Sequence, residues 1–275
     1  MNPHATRSIS PIAFWRSILT HRSLIFNLVK RDVVGKYRGS AMGLLWSFFN
    51  PVLMLTVYTF VFSVVFKARW QGGSGSKVEF ALVLFAGLLI FNLFSEVINR
   101  APNLILNNAN YVKKVIFPLE ILPIIALGAA LFHMVISLLV WLGFYVIFFG
   151  MPPATILILP LMMVPLCLQI LGLSWFLASL GVYLRDVGQF IGVVTTVLMF
   201  LSPIFYPIGA LPAEYQWFMH LNPLTYIVED ARNLMLWNRS LDWLSWSSWS
   251  GVSFVFAWFG FIWFQKTRKG FADVL

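Results

Sequence analysis

From Ile121 to Leu184 the chain runs 64 residues without a formal charge. About 20 predominantly apolar residues carry a helix across a bilayer, so this stretch is long enough for two crossings. It is interrupted where two crossings need a turn, at Gly150-Met151-Pro152-Pro153, residues that break helices. The pattern predicts a helical hairpin inside a membrane. The rest of the sequence agrees, being 60% hydrophobic and only 11% charged, against about 25% charged residues in an ordinary soluble domain.

Further uncharged runs complete the set. Expected crossings lie at 42–66, 80–98, 119–149, 154–184, 187–211 and 243–265. The second reaches Ile98 and brings Glu96 and Arg100 to its end. The fifth is broken in its second half by Ser202-Pro203 and Tyr206-Pro207, and the sixth is bounded by Asp242 and Lys266. The predicted fold class is an all-α membrane protein with six transmembrane helices, preceded by a segment 1–41 and followed by a tail 266–275. Residues 1–23 lack the continuous apolar core of a cleavable signal, so the first crossing is expected to direct insertion.

An even number of crossings puts both termini on one side. Of the 19 Lys and Arg residues, five fall on the opposite side: Lys67, Arg69, Lys77, Arg232 and Arg239. The other cations lie on the terminal side, so the positive-inside rule predicts a multi-pass inner (cytoplasmic) membrane protein with both termini cytoplasmic. The net charge of +9 is thereby read as topology, and no nucleic-acid partner is expected. The cations of the first outer loop, Lys67 to Glu79, suit either lipid phosphates or an anionic substrate.

Three segments outside the crossings carry pattern. Leu24 to Tyr37 places Phe26, Val29, Val33 and Tyr37 at near-helical spacing, with Lys30, Arg31, Lys36 and Arg38 largely elsewhere. That predicts a basic amphipathic helix along the cytoplasmic membrane surface, serving as a lipid anchor or a protein contact. The second cytoplasmic loop holds Asn103, Asn107, Asn108, Asn110, Tyr111, Lys113 and Lys114 between Pro102 and Pro118. A short surface helix fits there, and composition alone also fits a solvated connector. Glu96 and Arg100 have the four-residue spacing of a helix-surface pair. Pro207 to Asp242 is too long and apolar for a plain loop; its Trp217, Tyr226, Glu229 and Arg232 suit short amphipathic helices at head-group level, and the preceding prolines suit a re-entrant segment.

Chemical engines are missing. Gly35-Lys36-Tyr37 lacks the upstream glycine and following hydroxyl of a phosphate loop, and no His-Glu-x-x-His run occurs. His4, His21, His133 and His220 are scattered, and Cys167 is a lone residue in an apolar run. His133 and Glu120 are ionisable residues in or near a crossing, which makes them functional candidates; an imidazole bonded between helices and a carboxylate paired with a nearby cation are the plainer readings. No catalytic or metal site is expected, which leaves open a transport subunit or a membrane-embedded enzyme whose constellation is not apparent.

Leu28-Val29-Lys30-Arg31-Asp32, Lys36-Tyr37-Arg38-Gly39-Ser40, Met42-Gly43-Leu44-Leu45-Trp46 and Asn50-Pro51 resemble the leading signature of ABC-type polysaccharide exporter permeases. Asn110 to Pro118, Arg185-Asp186-Val187, Ser202 to Pro207 and Asn222-Pro223-Leu224-Thr225 continue the resemblance, which covers residues 24 to 271 and is nearest the O-antigen (Wzm-type) branch, with teichoic-acid and capsule exporters as near relatives. An ABC exporter subunit for small molecules has the same architecture.

The resemblance implies a homodimer, two copies of a cytoplasmic ABC ATPase that binds ATP and Mg, and a lipid-linked polysaccharide as cargo, with no cofactor in this chain. It makes Leu24 to Arg38, with Lys30, Arg31, Asp32, Lys36, Tyr37 and Arg38, an interface helix. Asn103 to Lys114 becomes the ATPase-coupling helix. Leu211 to Trp237 becomes a pair of short outer gate helices, with Trp217, Asn222, Pro223, Tyr226, Glu229 and Arg232 as gate candidates. Aromatic walls suit sugar rings, and Tyr58, Phe62, Phe205 and Tyr206 are the candidates for a channel lining.

Overall fold

The computed structural model describes residues 10, 16, 18–65, 70, 76–113 and 117–275, and these are helical with no strand. Helix α1 (Arg22–Tyr37) leads through Gly39, at φ +87°, into α2 (Trp46–Tyr58), which continues as a π-helix over Thr59–Val65. Then follow α3 (Lys77–Arg100), the short α4 (Ala109–Lys113), α5 (Leu122–Phe149) and α6 (Val164–Tyr183). The chain ends with α7 (Val187–Phe200), α8 (Ala213–Leu221), α9 (Pro223–Met235) and α10 (Trp243–Thr267).

Among the described residues, five helical stretches are long and apolar enough to cross a membrane: Gly43–Phe62, Val78–Asn103, Leu119–Phe149, Ala154–Tyr183 and Trp243–Val274. The expected crossing at 187–211 differs. Its helix, α7, stops at Phe200 after 14 residues, which spans roughly 21 Å at 1.5 Å per residue. The two Ser/Tyr-Pro steps then hold 201–207 out of helix.

Helix boundaries follow local chemistry. Gly150 ends α5 at φ +82°, and Pro152-Pro153 turn the chain back toward α6. Asn222 caps α9 by accepting from the Leu224 N–H, with Pro223 in the first turn. Asp242 caps α10 by accepting from the N–H groups of Leu244 and Ser245.

Helix α3 is the hub. Buried residues make up 83% of its apolar window, against 11% for the first crossing helix, so the other elements pack around α3 while α2 lies largely uncovered. α5 and α9 pack along it, and the Trp141 indole donates to the Leu82 carbonyl. α6 and α10 form the tightest pair. They cross through Gly172 and Gly260, where a Cβ on Gly260 would collide with the Gly172 carbonyl, and Gln169 donates to Ser253 beside the crossing. Gly181 receives the backbone of Pro102 in the same way, locking the turn after α3 against α6.

Helix α1 and the C-terminal residues lie at one end of this bundle, here the terminal end. There Arg268 donates to Glu120 at 2.9 Å and the Tyr183 hydroxyl donates to the Thr267 carbonyl. Glu120 thus pairs with a cation. α8 and α9 lie at the distal end.

Candidate functional site

At the terminal end α1 lies across α5. Its inward face takes in the expected Val29, Val33 and Tyr37 but not Phe26. Leu28 and Val33 are buried and Leu24, Ile25 and Val29 pack on the core, while Phe26 is 70% exposed. The same face presents charge. Asp32 receives both oxygens' worth of bonds from Arg100 at 2.9 and 2.8 Å. Lys36 donates to Glu96 at 2.9 Å, and Glu96 also faces Nδ1 of His133 at 2.9 and 3.0 Å. Tyr37 sets its ring edge-on to His133, with centroids 5.9 Å apart.

Glu96 and Arg100 therefore do not pair along their own helix as their spacing suggested. Both turn to α1. His133 becomes a link between α5 and α3, with its Nε2 buried and unbonded to protein.

The expected coupling segment is a chain of short turns: Ala101–Asn103, Leu106–Asn108 and α4. Asn103, Asn107 and Asn110 are exposed, whereas Asn108 bonds back to the Leu104 carbonyl. Tyr111 stacks on Phe117 at 4.3 Å and accepts from Arg31 of α1 at 2.8 Å. Lys114 lies outside the described residues, as does the side chain of Lys113. Lys30 and Arg38 are respectively exposed and at the helix end, away from the ion pairs.

The four aromatic channel candidates come together near the distal end. Tyr58 contacts Phe62, and Phe62 stacks on Phe205 at 5.4 Å. Phe205 in turn meets Phe200 at 5.7 Å, and the Tyr206 hydroxyl donates to the Phe200 carbonyl. All four are half-buried, a partly open aromatic row joining the π-helical end of the first crossing helix to the segment after α7.

The gate candidates separate into two kinds. Trp217 is exposed on α8, and Tyr226 makes ring contacts with His220 and Trp249. Asn222 ties the cap of α9 to the end of α7 through the Leu201 carbonyl and the Ser202 hydroxyl. Arg232 is fully buried. It donates to the carbonyls of Val83, Pro203 and Ile204 and to Glu229, and its guanidinium lies 4.3 Å from the Trp70 ring centroid. Burial lowers its pKa to about 10, opposed by Glu229, so it remains protonated at neutral pH.

Arg232 reads in the sequence as an outer cation; the structure makes it the clamp that satisfies the backbone left bare where α7 stops. A signal for this exists, since Arg232 lies on the stripe Leu224, Ile227, Val228, Ala231, Met235 that buries α9. Gly87 makes room: a Cβ there would sit 2.9 Å from the guanidinium. The network of Lys36, Glu96 and His133 had no such signal, because its members are far apart in sequence. Lys67 and Arg69 of the basic outer loop lie outside the described residues.

The family model for ABC-2 type transporters matches residues 23–236. The chain is 26% identical to an O-antigen export system permease protein RfbA of Myxococcus xanthus, over 94% of this chain and 97% of the relative. A protein of the same name from Klebsiella pneumoniae is 24% identical, over 92% and 95%. A capsule polysaccharide export inner-membrane protein CtrC of Neisseria meningitidis serogroup B is 24% identical, over 82% and 84%. With well over half its length matched, this chain belongs to the ABC-2 type transporter membrane family.

Proposed function

We propose that this chain is the membrane permease subunit of an ATP-driven exporter that moves a lipid-linked polysaccharide, O-antigen in preference to teichoic acid or capsule, from the cytoplasmic to the outer face of the inner membrane. In this reading the chain crosses six times, the thin α7 counting as the fifth crossing, and its terminal end is cytoplasmic. Relatives named for O-antigen and capsule polysaccharide export, matched over most of their length, support the cargo class.

The observation that carries the mechanism is the link between α4 and the crossings. Arg31 joins α1 to Tyr111 of α4, and Asp32 and Lys36 join the same helix to Arg100, Glu96 and His133 on α3 and α5. A cytoplasmic ATPase that binds ATP and Mg and docks on 103–114 would thereby pull on α1 and α3 together. Its nucleotide state biases the crossings between two arrangements, as any ligand with different affinity for two states does. This chain's part is to carry that movement and to line the path.

The path needs walls that shield hydroxyl groups from hydrocarbon. The row Tyr58, Phe62, Phe205 and Tyr206 supplies flat apolar faces with polar handles at its two ends. The largely uncovered α2 is the face on which a second copy would close the channel.

Replacing 107–114 by a flexible Gly/Ser stretch is expected to uncouple ATP hydrolysis from export. The measurement is lipid-linked glycan reaching the outer face per ATP consumed, in vesicles carrying both subunits. Undiminished export by that variant would remove the coupling assignment.

A further inference from the structure

Between α6, α9 and the start of α10, at the distal end, lies a chamber of about 200 Å³. Tyr226, Trp246 and Trp249 give it aromatic walls, and Asp230 and Asp242 bring carboxylates to it. The Tyr226 and Trp249 rings sit 5.3 Å apart. Gln169 and Pro223 are shared with a second chamber of about 330 Å³, which continues toward the terminal end between α6 and α10. Its walls are apolar, among them Leu173, Leu198, Val252 and Phe256. No described lysine or arginine lines either chamber.

This pair of chambers selects its occupant by chemistry. The outer one is acidic, so a head group of net negative charge or a pyrophosphate is disfavoured there. Carboxylates beside aromatic faces are the surroundings that attract an organic ammonium. A sugar ring also packs on aromatic faces, but a sugar within a glycan needs polar surroundings for its neighbours, and the adjoining chamber is apolar. An occupant with an ammonium at the tip of its head group, no net negative charge and an apolar tail matches both chambers.

We propose that these chambers bind a phospholipid with a primary-ammonium head group, the ammonium set between Asp230, Asp242 and the Tyr226–Trp249 pair and one acyl chain laid along Leu173 and Phe256. The site lies among α6, α9 and α10, apart from the aromatic row proposed as the channel wall. The inference needs only that the chain sits in a membrane and is independent of the cargo. Asp230 has its pKa raised to about 6, first by burial and then by the charges of Asp242 and Glu229. A carboxylate so placed gains from an arriving cation.

The test is native mass spectrometry of the full-length chain in a polyoxyethylene detergent, titrated with lysophosphatidylethanolamine or lysophosphatidylglycerol. The ethanolamine form is expected to bind one per chain, about tenfold more tightly than the glycerol form, the equivalent of about 1.4 kcal/mol. Asp230→Asn should abolish that preference, and Leu173→Trp, which fills the apolar chamber, should weaken binding of the ethanolamine form. Equal binding of the two lipids by the unaltered chain would overturn the proposal whatever the variants do. So would an unchanged preference in Asp230→Asn, or displacement of the ethanolamine lipid by octyl glucoside at equal concentration, which would mark a sugar site.

Discussion

At the distal end Arg232 is buried on every side and directs its donors to three backbone carbonyls and one carboxylate. At the terminal end Lys36, Asp32, Glu96 and Arg100 pair side chain to side chain and keep contact with solvent. The difference is in what each set holds. Arg232 holds irregular backbone that has no water to bond with, and nothing else can replace those donors. The terminal pairs hold one helix against two others, and each of them can break toward water at modest cost. The proposed coupling at the terminal end would use joints of the second kind, while the distal end is held by the first.

The sharpest way to break this contrast is to remove the clamp. Arg232→Met strands the carbonyls of Val83, Pro203 and Ile204 and leaves Glu229 without its cation. Removing one partner of a buried charge pair costs about 3 to 5 kcal/mol, so the variant should show a large drop in apparent melting temperature and poor yield from membranes. Arg232→Lys should recover only part of this, because an ammonium cannot reach the same set of acceptors as a planar guanidinium. A variant Arg232→Met as stable as the parent would show the clamp to be dispensable.

Much of this was legible from residues. The charge-free stretch with its Gly-Met-Pro-Pro turn gave the hairpin of α5 and α6, and the Ser202-Pro203 step marked where regular helix ends. The charged part of the inward face of α1 was not legible. Hydrophobic periodicity assumes that a buried face is apolar, and here that face carries Asp32 and Lys36 because the opposing wall carries Arg100 and Glu96. The pattern placed Val29, Val33 and Tyr37 inward but took in Phe26, which is exposed, and missed Leu28. Tyr58, Phe62, Phe205 and Tyr206 were candidates on side-chain chemistry alone; two of the four are about 140 residues from the others, and no local rule places them together.

The middle-sized test concerns the terminal end. Glu96→Gln keeps the shape but removes the charge that faces Lys36 and His133. With Lys36 half in solvent, the loss of stability should be about 1 to 2 kcal/mol, less than at Arg232. The larger consequence should be functional: ATP hydrolysis by the partner should persist while export per ATP falls, because α1 no longer drags α3. Equal loss of hydrolysis and export would make Glu96 a folding residue of the same kind as Arg232.

The smallest expected effect lies two residues before the clamp, at Asp230, and it is read through pH. Its carboxyl titrates at about 6 in the folded chain, raised chiefly by burial and further by Asp242 and Glu229, against about 3.9 when unfolded. The folded state thus holds this proton more tightly. The stability it contributes is complete below the unfolded value and is lost as pH rises through 6. Asp230→Asn stays neutral throughout, so in lipid-free detergent it should melt higher than the parent at pH 7.5 and match it near pH 4. Because the group is partly in solvent, the gain is on the order of 1 kcal/mol once screening is allowed for. A constant difference between the two chains from pH 4 to 7.5 would show that the Asp230 charge is not what strains this end, and would leave Arg232 as the one charge there whose burial matters.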